Sequence, residues 1–159
     1  VRRFADTPSA PKAGDLKPYV DGGKKLIKSS TGELNWDYGT GLVTINTPKA
    51  QGVTGFLNKV ASIDAADVSF ASKNEYATLQ AVSLDGQPLK SAKRSLVQAV
   101  TEEQPYGWRV DDAGKIQDLG GPPLNVKKVD ARVTFKISIA TATALDEHGY
   151  RKAELKVLR

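Results

Sequence analysis

Ala131-Arg132-Val133-Thr134-Phe135-Lys136-Ile137-Ser138-Ile139-Ala140 alternates apolar with polar side chains along its middle. In an extended strand successive side chains point to opposite faces. Val133, Phe135, Ile137 and Ile139 therefore share one face, and Arg132, Thr134, Lys136 and Ser138 share the other. One side of this strand belongs to a core. Elsewhere, short β-rich runs alternate with turn residues, and no window of helical length carries an apolar stripe at helical spacing. The pattern predicts strands over 24–28, 34–38, 42–46, 53–57, 68–71, 76–84, 94–101, 126–129, 131–140 and 151–158. Tyr38-Gly39-Thr40-Gly41, Asp85-Gly86 and Asp146-Glu147-His148-Gly149 supply the reversals, with glycines able to take positive φ. The fold class expected is all-β, an antiparallel β-sandwich of Ig-like or jelly-roll-like type with the strand order left open.

Two further segments lack a strand pattern. Residues 1–23 carry three prolines and little periodic hydrophobicity, as a linker or lead-in arm would, which leaves 24–159 for the sandwich module. Residues 111–123, rich in Gly, Asp and Pro, are expected to form the longest loop.

A chain of 159 residues accommodates one domain with a substantial core. With 40% hydrophobic and 26% charged residues it has the composition of a globular protein, not of a disordered one. It has no cysteine, which excludes disulfides, thiolate nucleophiles and cysteine-ligated metals. No apolar run is long enough to cross a bilayer, so no membrane partner is expected. Val1-Arg2-Arg3-Phe4 lacks the apolar centre of a signal peptide, and the absence of an initial Met suggests a processed boundary with a larger parent upstream. The net charge of +5 is spread along the chain, as on a solvated surface. An anionic polysaccharide suits it better than nucleic acid, for which no recognition helix or RNA-binding signature is visible.

Catalytic chemistry has little to work with. His148 is the sole histidine and sits in a turn, which excludes multi-imidazole metal sites and favours a solvated turn residue over a triad member. Glu33, Asp37, Glu75, Glu102 and Glu103 could supply the carboxylate pair of a glycosidase, yet scattered carboxylates are common on any sandwich surface. No cofactor is expected. Structural calcium could be held by Asp111-Asp112, by Asp146-Glu147 or by Asp64 with Asp67, none of them at EF-hand spacing, and turn chemistry explains them more simply.

The aromatics are the better candidates for a binding site, because sugar rings stack their C–H faces on indole and phenol rings. Tyr106 and Trp108 follow Pro105 beside the long loop, where exposure is expected. Trp36 and Tyr38 share a strand face with Leu34, which favours packing over binding, although both remain candidates. Phe56, Phe70, Tyr76 and Phe135 lie in apolar alternations and are expected in the core.

Several segments, taken in order, carry a resemblance. They are Ser30-Thr31-Gly32-Glu33-Leu34-Asn35-Trp36-Asp37 and Gly41-Leu42-Val43-Thr44-Ile45-Asn46-Thr47-Pro48-Lys49-Ala50-Gln51-Gly52, followed by Ser83-Leu84-Asp85-Gly86-Gln87-Pro88-Leu89 with Ser95-Leu96-Val97-Gln98. Gly120-Gly121-Pro122-Pro123-Leu124 and Ala144-Leu145-Asp146-Glu147-His148-Gly149-Tyr150 complete the series. Together these resemble the C-terminal, non-catalytic β-sandwich modules of large bacterial glycoside hydrolases with a cellulase-type TIM-barrel catalytic domain. The resemblance implies a secreted or periplasmic parent, an adjacent catalytic barrel, and polysaccharide as partner. It brings no catalytic residue to this chain, which is expected to be a monomeric carbohydrate-binding module and not an enzyme. The alternative it leaves open is a structural accessory sandwich that packs against the barrel and binds no glycan.

Overall fold

A computed structural model describes residues 14–158. Strands β1 (Val20–Asp21), β2 (Leu26–Lys28), β3 (Leu34–Asp37), β4 (Leu42–Asn46) and β5 (Ala50–Gly55) follow one another as an antiparallel meander. The chain then crosses through a 3-10 turn, Leu57–Lys59, into β6 (Ile63–Asp64) and β7 (Val68–Ser72), which leave this sheet. It returns as β8 (Ala77–Ser83) beside β5, and β9 (Ser95–Thr101) closes a seven-stranded sheet of order β1-β2-β3-β4-β5-β8-β9. After β9 come two ribbons: β10 (Glu103–Tyr106) with β13 (Gly121–Val126), and β11 (Arg109–Val110) with β12 (Ile116–Asp118). Then β14 (Ala131–Phe135) pairs with β7, giving a second sheet of order β14-β7-β6, and β15 (Ala142–Leu145) forms a hairpin with β16 (Arg151–Leu155). The protein is an all-β sandwich with antiparallel pairing throughout its described sheets.

The core lies where the inner face of the large sheet meets the second sheet. Leu42, Val53, Ala77, Leu79 and Ala81 from the first, and Val68 and Phe70 from the second, are buried there with Leu57 and Leu89 from the connections. Val133 and Phe135 pack against this cluster from β14, as their alternation predicts.

One polar side chain sits among them. Gln51, 1% exposed, faces inward from β5, and its Oε1 accepts from the N–H groups of Asp67 (2.8 Å) and Val68 (3.1 Å) at the entry to β7. Its Nε2 donates to Asp67 Oδ2 (2.9 Å) and to the Thr47 carbonyl (3.3 Å). Asn46, directly opposite Gln51 in the β4–β5 pair, accepts the Ala66 N–H at 3.1 Å. The second sheet completes the clasp, because Lys136 donates its ammonium to the Ala65 and Ala66 carbonyls and its N–H to that of Asp67. Every polar atom of the buried amide thus has a partner, so its burial costs little.

Several expectations need correction. The strand expected over 53–57 is β5, shifted toward the N-terminus, because Gly55 at φ +131° ends the ladder against Gly41 and turns Leu57 into the core. A side chain at Gly55 would land on the Gly41 carbonyl oxygen. The long run over 131–140 stops pairing at Phe135, and Ile137 and Ile139 are half-buried beyond it. The strand expected over 126–129 is instead β13, and the expected loop over 111–123 holds β12 and the start of β13. Within 14–23, Val20 and Asp21 form a short strand on the edge of the sheet; residues 1–13 lie outside the described region.

Replacing Gln51 with Ala strands the Asp67 and Val68 N–H groups without acceptors. Gln51→Ala should therefore destabilise the fold by about 2–4 kcal/mol, seen as a lower urea midpoint at unchanged slope. A change of a few tenths would mean that the amide is dispensable.

Candidate functional site

Pairing fixes which side chains share the outer face of the large sheet, because residues directly opposite one another point the same way. Trp36 lies opposite Ile27 on one side and Val43 on the other, and the row continues through Thr54, Thr78 and Val100. Thr54 and Thr78 hydroxyls meet at 2.6 Å, and one row away Gln80 Nε2 donates to Gln98 Oε1 at 2.6 Å. The face is apolar near β3 and polar toward β8.

One end of it is aromatic. Trp36 and Tyr38 stand two residues apart on the same face, their rings edge-on with centroids 5.9 Å apart. Where β5 ends and β8 begins, Phe56 and Tyr76 form a second edge-on pair at 5.4 Å, with the Lys59 ammonium 4.3 Å above the Phe56 ring. Gly41 lies between the pairs: the Phe56 ring occupies the space that a side chain there would fill, and φ of +76° suits glycine alone. Strands about 4.8 Å apart put Tyr38 and Tyr76 about 14 Å from each other across β3, β4, β5 and β8. The result is a ledge of four rings, all between 36% and 49% exposed.

This arrangement overturns four expectations. Trp36 and Tyr38 are not core: they are 49% and 40% exposed, because the register that turns Leu42 inward opposite Asp37 sends Trp36, opposite Val43, to the outer face while Asn35 and Asp37 face in. Phe56 and Tyr76 are not core either, because Gly55, Leu57 and Ala77 take the inward positions and alternation sends their neighbours out. Alternation was the available signal, but sequence does not say which of its two faces is covered. Phe70 is buried as expected.

The other proposed pair lies elsewhere. Tyr106, 66% exposed, ends β10, and Trp108 is half-buried in the turn that follows, its N–H donating to the Pro105 carbonyl at 3.2 Å. Both belong to the β10–β13 and β11–β12 region, so the structure does not join them with Trp36 and Tyr38 in one ring cluster.

The ledge rests on the Tyr38–Gly41 turn, which Asp37 organises. Its Oδ1 accepts from Gly39 N–H (2.9 Å) and Thr40 N–H (3.0 Å). The carboxyl is held below the usual aspartate range, most by the adjacent Thr40 hydroxyl, which stops short of a formed hydrogen bond. The Thr40 and Gly39 N–H groups and the Lys25 charge act in the same direction.

Four of the calcium candidates already accept hydrogen bonds within the fold. Asp111 accepts from the Ala113 and Lys115 N–H groups and from Gln117, Asp146 from His148 and Tyr150, Asp64 from Ser69, and Asp67 from Gln51. Among the described residues no three acidic or imidazole side chains converge as a metal site would require. Comparison of the chain with protein-family models, with curated proteins and with solved structures returns no match.

Because its folded-state pKa is depressed, the Asp37 charge stabilises the fold above the unfolded-state pKa of about 3.9, and that contribution disappears as pH falls through the lower folded value. The stability gap between the parent and Asp37→Asn, followed by urea denaturation, should be constant at neutral pH and shrink below about pH 4. A gap that widens on acidification would contradict this role.

Proposed function

We propose that this chain is a non-catalytic carbohydrate-binding module and that its glycan lies along the aromatic ledge of the large sheet. The observation that carries the reading is the pair of ring pairs, Trp36–Tyr38 and Phe56–Tyr76, exposed at one end of the outer face. Exposed aromatic rings on a rigid sheet offer stacking surfaces to the C–H faces of successive sugars. Thr54, Thr78, Gln80 and Gln98, beside the ledge, present hydroxyls and amides of the kind that bond sugar hydroxyls. The resemblance to accessory modules of secreted bacterial glycoside hydrolases supports polysaccharide as the ligand class and a catalytic barrel as the neighbour. Such a module raises the local concentration of its enzyme at a long or insoluble substrate.

One observation favours the second reading, a structural sandwich that packs against a catalytic domain without binding glycan. Leu34 (45% exposed) and Val20 (43%) extend the outer face beyond the aromatics as an apolar strip, with Ile27, Val43 and Ile45 half-buried between them. A protein neighbour would cover such a strip.

Affinity electrophoresis against a panel of soluble polysaccharides separates the two. A glycan that retards the parent should be released by Trp36→Ala and by Tyr76→Ala, each with at least a tenfold loss of affinity, or about 1.4 kcal/mol. Melting temperatures should fall only modestly, as both side chains lie on the outer face at 49% and 40% exposure. Loss of retardation in Trp108→Ala alone would move the site to the β10–β11 turn, and no retardation by any glycan would favour the structural reading.

A further inference from the structure

The large sheet ends in two very different edges. Strand β1 at one end is two residues long, carries Asp21 and is followed by Gly22 and Gly23, a blunted edge. At the other end β9 runs for seven residues, Ser95-Leu96-Val97-Gln98-Ala99-Val100-Thr101, with no charge, proline or glycine and no bulge in its pairing with β8. Unprotected edges of this kind add strands.

The free side of β9 is defined by its hydrogen bonds. Leu84 N–H donates to the Arg94 carbonyl at 2.9 Å, so Arg94 and, by alternation, Leu96, Gln98 and Val100 direct their backbone groups at β8. Those of Ser95, Val97, Ala99 and Thr101 point the other way. Glu102 has the parity of Arg94, and its carbonyl accepts the Lys127 N–H at 2.9 Å, which places β13 on the β8 side; among the described residues no strand pairs with β9 on its other side. Val97 and Val100 are 42% and 60% exposed on opposite faces of the strand.

The sequence of this edge complements itself. From Lys93 to Glu103 it reads KR-SLVQAVT-EE, two basic residues, the uncharged strand and two acidic residues. In an antiparallel pair of identical strands centred on Gln98, Ser95 faces Thr101, Leu96 faces Val100 and Val97 faces Ala99. Arg94 faces Glu102, and Lys93 faces Glu103. Residues with outward-directed backbone groups meet their like, as ladder geometry requires, and each end gains opposite charges.

We infer that β9 is the interface of a symmetric dimer, in which a second copy of this chain continues the large sheet by antiparallel β9–β9 pairing about a two-fold axis at Gln98. The charge order sets the occupant. A parallel partner would place basic against basic and acidic against acidic, whereas the two-fold related copy sets Lys93 opposite Glu103 and Arg94 opposite Glu102, which Lys127 of its own chain also bridges. The interface is closed, because pairing consumes the open edge of both copies and the opposite edge is blunted. It also sets both outer faces on the same side of one sheet. If the ledge binds glycan, as proposed above, the dimer presents two ledges to one chain.

The test uses a single cysteine in a chain that has none. Gln98→Cys sets two thiols directly opposite at a non-hydrogen-bonded pair, where Cα atoms about 4.5 Å apart fall within disulfide reach. Under mild oxidation this variant should cross-link to a covalent dimer of twice 17.1 kDa, far faster than the control Thr143→Cys on the separate β15–β16 hairpin. Sedimentation velocity over a concentration series should show the parent dimerising, Gln98→Lys remaining monomeric while melting as a folded protein like the parent at dilutions where the parent is itself monomeric, and Lys93→Glu monomeric until Glu103→Lys is added to restore the charge pair. A parent that stays monomeric throughout, a dimer that survives Gln98→Lys, or a Gln98→Cys variant that cross-links no faster than the control would overturn the interface. None of these readouts depends on glycan binding, so failure of the ledge leaves the dimer standing, and the reverse.

Discussion

A buried side-chain amide joins the two sheets. Gln51 lies on the inner face of β5, directly opposite Ala81 and two residues from Val53, where a polar group survives only if every donor and acceptor is matched. The backbone entering β7 supplies the match: two N–H groups to the amide oxygen, with Asp67 and Thr47 taking the amide protons. That exchange fixes both the height and the lateral position of β7 over β5, since hydrogen bonds are directional and apolar contacts are not. Phe70 and Val68 then drop into the core, and β14 follows by pairing with β7.

The location of the aromatic ledge follows from the same docking. The second sheet covers the inner face of β4, β5 and β8, the strands that contribute the buried Leu42, Val53, Ala77, Leu79 and Ala81. On β3 the inward positions are filled by Asn35 and Asp37. The apolar row of β3 is thereby turned to the outer face, where Leu34 and Trp36 remain exposed. Phe56 and Tyr76 are sent outward because Gly55, Leu57 and Ala77 take the inward sites beside them. An outer face with rings along one end is thus the complement of the core beneath it.

Much of this was legible in the sequence. Period-two alternation located β4 with its bounds intact, β3, β7, β8 and β9 within one or two residues, and the inward row of β14. The turns at Tyr38–Gly41, Asp85-Gly86 and Asp146–Gly149 are where glycine and aspartate placed them, with Asp85 and Asp146 accepting backbone N–H groups. Which face of β3 is covered could not be read, because alternation is symmetric between inside and outside until the partner sheet is known. The two short ribbons were hidden in a stretch whose glycines and prolines signal loop. Gln51 stood inside the run that carries the resemblance, Thr47-Pro48-Lys49-Ala50-Gln51-Gly52, but a lone glutamine gives no sign that it will be buried.

The most direct check of the clasp is native-state hydrogen exchange at the Asp67 and Val68 amides of the parent chain. Both bond to a side chain outside any ladder, and Asp67 sits in the connection between two strands, so loop-like exchange would be the default for an unlatched turn. If Gln51 holds the sheets together, these two amides should exchange only with global unfolding, in the slowest class alongside the central β5–β8 ladder. Exchange at the rates of an open loop, while the ladder stays protected, would contradict the account.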